Sequence, residues 1–334
     1  MKKNIFLNKT ILVTGGTGSF GKKFVQFLLK QKLKPKKIII YSRDELKQHE
    51  MNKKYNIEKF KNLRYFIGDV RDKERLNLAC EDVDIIVHSA ALKQVPATEY
   101  NPFECIQTNI LGAQNVISSA INNKVKNIIA LSTDKAASPI NLYGAAKLCS
   151  DKLFTSAQNF IGKKKMIFSV VRYGNVMGSR GSVIPLFNEQ KKNKLLKLTH
   201  KDMTRFNITL DEAIKMVDWS IKNSYGGEIF VPKIASYRLL DLAKSICEES
   251  RIVFTGIRPG EKIHELLITK DDSTRTVDLG KYYAILPTTK EYSIESYCKK
   301  KKCKLVKKNF EYSSNNNTKF LKIHELRKLI KKYV

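Results

Sequence analysis

The chain of 334 residues lacks the features of membrane proteins and of metal-binding proteins. It has no uncharged apolar run of about 18 residues, the length that a membrane-spanning helix needs. The stretch MKKNIFLNKTILVTGG leads straight into a strand-like segment without a signal-peptide pattern, so we predict a cytoplasmic protein without membrane insertion. The six cysteines form no CxxC pair and have no accompanying histidine cluster, which predicts free thiols and no metal site.

Arginine and acidic residues are also scarce. Only 12 of the 62 basic residues are arginine, and 32 acidic residues leave a net charge of +30. Proteins that read bases or clamp phosphates rely on arginine, whereas the lysines of this chain are spread along nearly its whole length. The charge therefore predicts a solvated basic surface and no nucleic-acid partner.

Short apolar runs alternate with longer helical stretches in the first half of the chain. Almost every residue of these runs is apolar, which is typical of strands that are covered on both faces. Strand–helix units joined by right-handed crossovers predict an α/β protein with a doubly wound parallel sheet. The predicted strands are residues 10–13, 37–41, 63–68, 84–89, 127–132 and 168–173.

The alternation of strands and helices ends after about residue 178. We therefore predict a Rossmann domain over residues 1–178 and, over residues 179–334, a smaller mixed α/β lobe that covers the carboxyl edge of the sheet. Segments around 205–235 are expected to return to the first domain. Thr209 and Glu212 have the spacing of a capping box, which predicts the start of a helix.

A glycine-rich turn follows the first predicted strand. Glycines there allow a tight turn and let backbone N–H groups approach a pyrophosphate at the positive end of a helix. Because this turn follows a strand and opens a helix, it indicates dinucleotide binding in preference to a structural turn. The residues predicted to contact the dinucleotide here are Gly15, Thr17, Gly18, Ser19, Phe20 and Gly21.

The end of the second strand indicates which dinucleotide is bound. A carboxylate at this position would bind the ribose 2′-hydroxyl of NAD, whereas Ser42, Arg43 and Lys47 suit the 2′-phosphate of NADP. Asp44 follows Arg43 and argues for NAD, but the two basic residues favour NADP.

Two further strand ends are expected to contact the cofactor. Asp69 and Val70 follow the third strand, where the adenine would lie. Ala90 and Ala91 follow the fourth strand, and their small side chains would let the cofactor pass closely.

Tyr143 and Lys147 are one helical turn apart and therefore face the same way. A free tyrosine titrates near about 10 and is a poor base at neutral pH. A neighbouring ammonium and a positive nicotinamide ring would lower the pKa of Tyr143, so that it could take a hydroxyl proton. A YxxxK pair alone is usually a solvated helical pair, but after a glycine-rich turn it indicates catalysis.

A series of longer motifs extends from about residue 8 to residue 317. They include TGGTGSFGK, YSRDELKQ, FIGDVRDKERL, LSTDKA, PINLYGAAKL, RYGNVMGSRGSVIPLF, MTRF and RPGEKIHE. With these motifs the chain closely resembles the inverting UDP-N-acetylglucosamine 4,6-dehydratases of the extended short-chain dehydrogenase/reductase superfamily. That family begins pseudaminic acid synthesis for flagellin glycosylation. The resemblance implies UDP-N-acetylglucosamine as substrate, tightly bound and recycled NADP, and a homo-oligomer such as a hexamer.

The resemblance also implies a redox cycle without net oxidation. Tyr143 would remove the proton of the sugar 4-hydroxyl while hydride leaves C4, and Thr133 would hydrogen-bond the C4 oxygen. Asp134 would protonate the departing C6 hydroxyl and Lys135 would take the C5 proton. These roles require a raised pKa for Asp134 and a lowered pKa for Lys135. Retaining relatives carry glutamate at the position of Lys135, so this lysine implies inversion at C5.

Further contacts are carried over from the family by position. In the cofactor site these are Lys93, which also lies close to the sugar, and Val176. Arg205 and Arg258 suit the diphosphate of the substrate, because the planar guanidinium of an arginine can donate two parallel hydrogen bonds to a pyrophosphate. The complete set expected to bind substrate is Lys93, Thr133, Asn175, Val183, Pro185, Thr199, Arg205, Arg258 and Glu261.

The chain departs from the flagellar enzymes at two positions. Gln94 stands where they carry histidine, and Asn207 stands where they carry tryptophan. Gln94 also occurs in a sister group of C5-inverting dehydratase/epimerases that make capsule and O-antigen sugars, although members of that group can lack the catalytic tyrosine. A nucleotide-sugar 4-epimerase, which would not need Asp134 and Lys135, and a non-catalytic NADP-binding regulator remain as alternatives.

Overall fold

The computed structural model of the protein describes residues 4–162, 164–179, 183–288 and 293–333. Its strands fall into one large sheet and three small ones. In chain order they are β1 (Thr10–Thr14), β2 (Lys37–Ser42), β3 (Leu63–Ile67), β4 (Ile85–His88), β5 (Asn127–Thr133), β6 (Ile167–Tyr173), β7 (Asn175–Val176), β8 (Leu195–Leu198), β9 (Thr204–Ile208), β10 (Ile229–Pro232), β11 (Ser236–Arg238), β12 (Arg251–Phe254), β13 (Leu266–Ile268), β14 (Thr276–Asp278), β15 (Tyr282–Ile285), β16 (Lys304–Leu305) and β17 (Tyr312–Ser313).

The helices cover both faces of the large sheet and build the second part of the chain. A π-helical turn, Gln107–Leu111, joins two of them. In chain order the α-helices are α1 (Ser19–Leu29), α2 (Glu45–Lys54), α3 (Lys73–Ala79), α4 (Val95–Tyr100), α5 (Pro102–Ile106), α6 (Gly112–Asn122), α7 (Leu142–Ser156), α8 (Val183–Gln190), α9 (Leu210–Asn223), α10 (Leu239–Ile246), α11 (Ile294–Lys301) and α12 (Ile323–Tyr333). Within the described ranges, none of the helices has the length and apolarity to cross a membrane.

The large sheet confirms the predicted doubly wound fold. Its parallel strands lie in the order β3-β2-β1-β4-β5-β6-β10, and the chain reverses direction across the sheet between β1 and β4. All five residues of β1 are buried, because helices cover both faces of the sheet. In such a fold ligands bind beyond the carboxyl ends of the strands at the point where the order reverses.

Later segments of the chain rejoin the large sheet. β10 pairs with β6, and α9 packs against α1, β5 and β6. Thr209 and Glu212 form the predicted capping box at the start of α9. The antiparallel strands β15, β14 and β16 then extend the sheet beyond β10, an addition that the sequence analysis did not anticipate.

The remaining strands build a smaller mixed lobe near the carboxyl ends of β5 and β6. β7 and β11 flank β9 in a three-stranded sheet, while β8 pairs with β12 and β13 pairs with β17. A separate apolar core, which includes Phe187, Leu196 and Leu242, holds α8, β8 and α10 together. This lobe brings β9 and the segment before β13 close to the end of β5.

Candidate active site

The glycine-rich turn after β1 is shaped for close approach of a ligand. Gly15 has a φ of +63°, and a Cβ atom added there would lie 2.8 Å from the backbone nitrogen of Ala90. At Gly21 an added Cβ would lie 2.5 Å from the backbone of Gly16, so the helix can pack closely on the turn. Gly18 caps α1 without a side-chain hydrogen bond. The first N–H groups of α1 are therefore available to a pyrophosphate, and the turn fits a dinucleotide.

One cavity of about 630 Å³ runs along the carboxyl ends of the parallel strands. The structure brings the whole predicted cofactor set together in its wall. These residues are Gly15, Thr17, Gly18, Ser19, Phe20, Gly21, Ser42, Arg43, Lys47, Asp69, Val70, Ala90, Ala91, Lys93, Tyr143, Lys147 and Val176.

The end of β2 carries two basic residues that each already contact a carboxylate. The Arg43 guanidinium lies 3.5 Å from Asp69 Oδ2, and the Lys47 ammonium pairs with Asp44. Asp44 also caps α2 by accepting a hydrogen bond from the Lys47 backbone at 2.9 Å. Because α2 and Lys47 engage the Asp44 carboxylate, it is less available to a ribose hydroxyl than the sequence alone suggested.

Asn109 shapes the cavity wall after β4. It lies in the π-helical turn, where its side chain bonds both backbone groups of Leu92, with distances of 2.8 Å to the nitrogen and 2.9 Å to the oxygen. This pair of bonds fixes the backbone that carries Ala91 and Lys93 into the cavity. Asn109 therefore has a structural role at this edge of the cavity.

The end of β5 places Thr133, Asp134 and Lys135 against one another. The Thr133 hydroxyl donates to Asp134 Oδ1 at 2.9 Å, and Lys135 Nζ donates to the same oxygen at 3.0 Å. Thr133 and Lys135 line the cavity, whereas Asp134 is fully buried behind them. Burial raises the pKa of the Asp134 carboxyl, and the charge of Glu265 adds to the rise, although Lys135 opposes it. This direction agrees with the requirement for a protonated acid.

The charge of Lys135 differs from the prediction. Its Nζ atom contacts three acceptors: Asp134 Oδ1, Asn175 Oδ1 at 3.4 Å and Glu265 Oε1 at 3.3 Å. Burial lowers the pKa of Lys135, but the two carboxylates outweigh burial and raise the pKa above the ordinary value of a lysine. The predicted lowering was therefore wrong, because a second carboxylate, Glu265, lies beside this amine only in the folded chain.

Tyr143 and Lys147 lie on the first two turns of α7, which Asn141 caps by accepting from the Gly144 backbone at 2.8 Å. Lys147 is buried and donates to the Leu131 carbonyl at 2.8 Å. Loss of solvent raises the pKa of Tyr143 to about 12, although the charge of Lys135 and a hydrogen bond with Thr133 act against the rise. Among the groups of the chain, burial therefore outweighs the neighbouring charge, and the lowering of this pKa by an ammonium together with a nicotinamide ring stays a prediction.

The residues predicted to bind substrate divide into two groups. Lys93, Thr133 and Asn175 line the cavity, with Asn175 in β7 beside Asn207 of β9. The others lie in the smaller lobe, away from the cavity wall: Val183 and Pro185 in α8, buried Thr199, buried Arg205, and Arg258 and Glu261 in the loop before β13.

Arg205 and Glu261 are linked to the end of β5 through Glu265. The Arg205 guanidinium lies 3.5 Å from Glu261 and 3.7 Å from Glu265, and Glu265 in turn contacts Lys135. Glu265 was missed in the sequence, although it stands in the quoted motif RPGEKIHE. Nothing in that motif distinguishes its two glutamates, and only the tertiary packing buries Glu265.

Three comparisons with known proteins agree with this geometry. The model of a family described as polysaccharide biosynthesis protein matches residues 11–287. The chain is 51% identical to a UDP-N-acetylglucosamine 4,6-dehydratase (inverting) of Campylobacter jejuni, with 98% of each chain covered. It is 41% identical to a UDP-glucose 4-epimerase of Rickettsia akari, with 98% of this chain and 96% of the relative covered. The X-ray structure of Pen from Bacillus thuringiensis superposes with a TM-score of 0.87 at 39% identity, covering 98% of both chains.

Proposed function

Because this chain belongs to the polysaccharide biosynthesis protein family within the extended short-chain dehydrogenase/reductase superfamily, we propose that it is a C5-inverting UDP-N-acetylglucosamine 4,6-dehydratase. The observation that carries the proposal is the presence of two acid/base sets at one cavity. Tyr143 and Lys147, which line the cavity, form the first set. The second set is Lys135, which also lines the cavity, and Asp134, which is buried directly behind it at 3.0 Å. A C4 epimerase needs only the first set, whereas elimination of water requires both.

The first step is oxidation at C4 of the sugar. Tyr143 takes the proton of the 4-hydroxyl while Thr133 orients the C4 oxygen. NADP, when bound, supplies the hydride acceptor and the positive charge of the oxidised nicotinamide ring. Since burial raises the pKa of Tyr143 to about 12, the ammonium of Lys135 and the Thr133 hydroxyl assist by favouring phenolate. Lys147 helps to hold the cofactor at this end of the cavity.

Elimination follows because the C4 ketone acidifies the C5–H bond. Lys135 passes a proton to Asp134 along the hydrogen bond of 3.0 Å that joins them, which leaves a neutral amine beside a protonated acid. The amine then takes the C5 proton, a C5–C6 double bond forms, and the C6–O bond breaks as Asp134 donates its proton to the leaving hydroxyl. One water molecule departs. When bound, the reduced cofactor would supply the hydride for C6, and water would supply the proton that C5 gains on the opposite face, which gives the L-arabino 4-keto sugar. The raised pKa of the Asp134 carboxyl supports its role as the acid.

For the cofactor we propose NADP in preference to NAD. Arg43 and Lys47 stand at the end of β2 in the cavity wall, where a 2′-phosphate would lie. Arg43 is 52% exposed on its side chain, so it can turn from Asp69 toward a phosphate. The capping role of Asp44 supports the same choice, because its carboxylate accepts from α2 and pairs with Lys47.

We propose that the smaller lobe binds the nucleotide. Arg258 is exposed in the loop before β13, where its guanidinium can donate two hydrogen bonds to the diphosphate. Arg205 is buried and pairs with Glu261 of the same loop. The remaining members of the proposed substrate set are Lys93, Asn175, Val183, Pro185 and Thr199.

The product is proposed to enter pseudaminic acid synthesis for flagellin or surface glycans. Retention of Tyr143 in the cavity supports this choice over the capsule and O-antigen group. The chain departs from the flagellar enzymes at Gln94, which lines the cavity, and at Asn207, which pairs with Asn175. We propose that enzymes of the two pathways differ at these two positions.

A cytoplasmic homo-oligomer is the proposed working form. Large apolar side chains lie exposed on α4, α5 and the π-helical turn: Tyr100 is 87% exposed, Phe103 is 77% exposed and Leu111 is 46% exposed. An apolar group of this kind on one face supports contact with another copy of the chain. Light scattering of the purified protein would test this assembly.

A single incubation tests the function. The purified protein is mixed with UDP-N-acetylglucosamine and NADP, and the product is studied by mass spectrometry and NMR. Loss of one water with an inverted C5 supports the proposal. An unchanged mass with a C4 epimer would support an epimerase instead, the activity in the name of the Rickettsia akari relative.

A further inference from the structure

Glu265 is a buried carboxylate that no step above uses. It lies immediately before β13, and its side chain is only 3% exposed. Its Oε1 atom lies 3.3 Å from Lys135 Nζ and 3.7 Å from Arg205 Nε. Among the described residues, its Oε2 atom has no hydrogen-bond partner. Burial of a carboxylate with one oxygen that accepts no hydrogen bond lowers the stability of the fold, unless its charge stabilises a neighbouring cation.

The neighbour that this charge serves is the Lys135 amine. An ammonium has three N–H donors, and the Lys135 Nζ atom has three acceptors in contact: Asp134, Asn175 and Glu265. Asp134 and Glu265 approach from different elements, the end of β5 and the segment before β13. Together they hold the amine between two carboxylates at the edge of the cavity.

We propose that Glu265 is a positioning residue of the elimination step, whose fixed negative charge holds the Lys135 amine in place and sets the pH range in which the Asp134–Lys135 pair works. This inference rests on the proposed dehydration. Glu265 belongs to the smaller lobe, so this lobe takes part in the proton transfer at C5. Glu265 acts on Lys135 and does not itself contact the reacting atoms.

Other charged and titratable groups around the pair do not take this role. Arg205 shares its charge with Glu261, at 3.5 Å. The Lys262 ammonium donates to the Ala137 carbonyl at 2.7 Å. The groups that face the pair from the surrounding elements are Lys93 after β4, Tyr143 on α7, Arg205 on β9, Tyr237 on β11, and Lys262 in the loop before β13.

The sign of the effect follows from charge alone. A nearby anion makes it harder for Asp134 to lose its proton and harder for Lys135 to lose its own, so it raises the pKa of both groups. Lys135 and Arg205 outweigh burial and lower the pKa of Glu265, which therefore stays ionised. Removing the Glu265 charge lowers the pKa of both partners. Both limbs of a bell-shaped pH profile then move toward lower pH.

The test is the pH profile of C5 exchange in Glu265→Gln. The protein is incubated with UDP-N-acetylglucosamine and NADP in deuterated water, and deuterium at C5 is followed by mass spectrometry across the pH range in which each variant stays folded. At a separation of 3.3 Å, screening as strong as that of bulk water, with a dielectric constant of about 80, predicts a shift of about one pH unit toward lower pH, and weaker screening predicts a larger shift. A merely structural role would lower the height of the profile without moving it.

Two further variants keep the test decisive. Glu265→Asp retains a carboxylate but moves it away from Lys135, so we expect its pH profile to shift in the same direction as that of Glu265→Gln, but by less. This variant also replaces Glu265→Gln in the test if Glu265→Gln does not fold. Glu228→Gln neutralises another fully buried glutamate, which accepts from Ser224, Tyr225 and Gly226 far from the cavity. Its pH profile is expected to match that of the wild type.

The outcomes distinguish a failure of the proposed role of Glu265 from a failure of the proposed dehydration. A profile that keeps its wild-type position in Glu265→Gln, or in Glu265→Asp where the first variant does not fold, would overturn the role of Glu265 and leave the dehydration intact. A wild-type protein that binds NADP and the sugar nucleotide but never eliminates water would overturn both.

Discussion

Lys135 is the residue whose replacement tests the proposed chemistry most directly. Lys135→Met keeps the length of the side chain but removes the amine that contacts Asp134 at 3.0 Å and Glu265 at 3.3 Å. A positioned general base contributes about 10²–10⁴ to a rate, or about 3–5 kcal/mol of activation free energy. We therefore expect C5 exchange to fall by about 10²–10⁴-fold, while oxidation at C4, which relies on Tyr143 and loses only the assistance of the Lys135 charge, falls much less.

The same change has a cost in stability whose pH dependence can be worked out. Removing one partner of a buried ion pair costs about 3–5 kcal/mol, because the remaining charge loses its counter-ion. Here the carboxylates of Asp134 and Glu265 are left near each other in a buried site. Asp134 already has a raised pKa, so lowering the pH protonates it and removes the repulsion. The loss in free energy of unfolding is therefore expected to shrink as the pH falls.

Three measurements compare Lys135→Met with the wild-type protein. Absorbance of reduced cofactor in a single turnover reports oxidation at C4, deuterium uptake reports exchange at C5, and urea unfolding at two pH values reports stability. Lys126→Met is the matched control, because Lys126 precedes the opposite end of β5 and pairs with Asp84 at 3.4 Å on the surface. If Lys135→Met exchanged C5 at the wild-type rate, Lys135 could not be the base. If a folded Lys135→Met lost C4 oxidation equally, the division between two acid/base sets would be wrong.

Further predictions concern the other parts of the cavity. Tyr143→Phe removes the proposed C4 base, so single-turnover reduction of the cofactor is expected to fall by at least about 10²-fold, while cofactor binding measured by fluorescence is retained. Arg43→Ser removes one charged contact with the 2′-phosphate, so the Kd for NADP is expected to rise about tenfold with little change for NAD, and equal changes for both would argue against the NADP assignment. Gly15→Ala forces a side chain into a φ of +63° and within 2.8 Å of Ala90, so calorimetry is expected to show a loss of at least about 1–2 kcal/mol.

Much of the fold was predictable because its signals are local. The six predicted strands coincide with β1–β6 to within a residue at each end, since runs such as KIIIY are apolar on both faces. The capping box at Thr209 and Glu212 needs only two side chains three positions apart. The pairing of β14, β15 and β16 with the large sheet escaped prediction, because their positions after a long irregular stretch carry no periodic signal.

Part of the candidate site was predictable for the same reason, namely that its signals are local. The residues expected to meet the cofactor stand directly after strand ends, and parallel strands bring their carboxyl ends to one edge, so they line one cavity. The substrate residues of the smaller lobe are different. Thr199 and Arg205 are positioned by the pairing of β8 with β12 and of β9 with β11, contacts that no spacing along the chain reveals.

The order of the residues specifies which chemical groups are available and which of them come from the same strand end or helix turn. Thr133, Asp134 and Lys135 are consecutive, and Tyr143 and Lys147 share a helix face, so their proximity follows from local geometry. The charges of these groups, in contrast, depend on contacts between distant parts of the folded chain. Glu265 is 130 residues beyond Lys135, and its arrival at 3.3 Å turns an amine that was expected to be neutral into a firmly held ammonium. A pKa depends on every charge and every solvent path around a group, and these are properties of the folded chain.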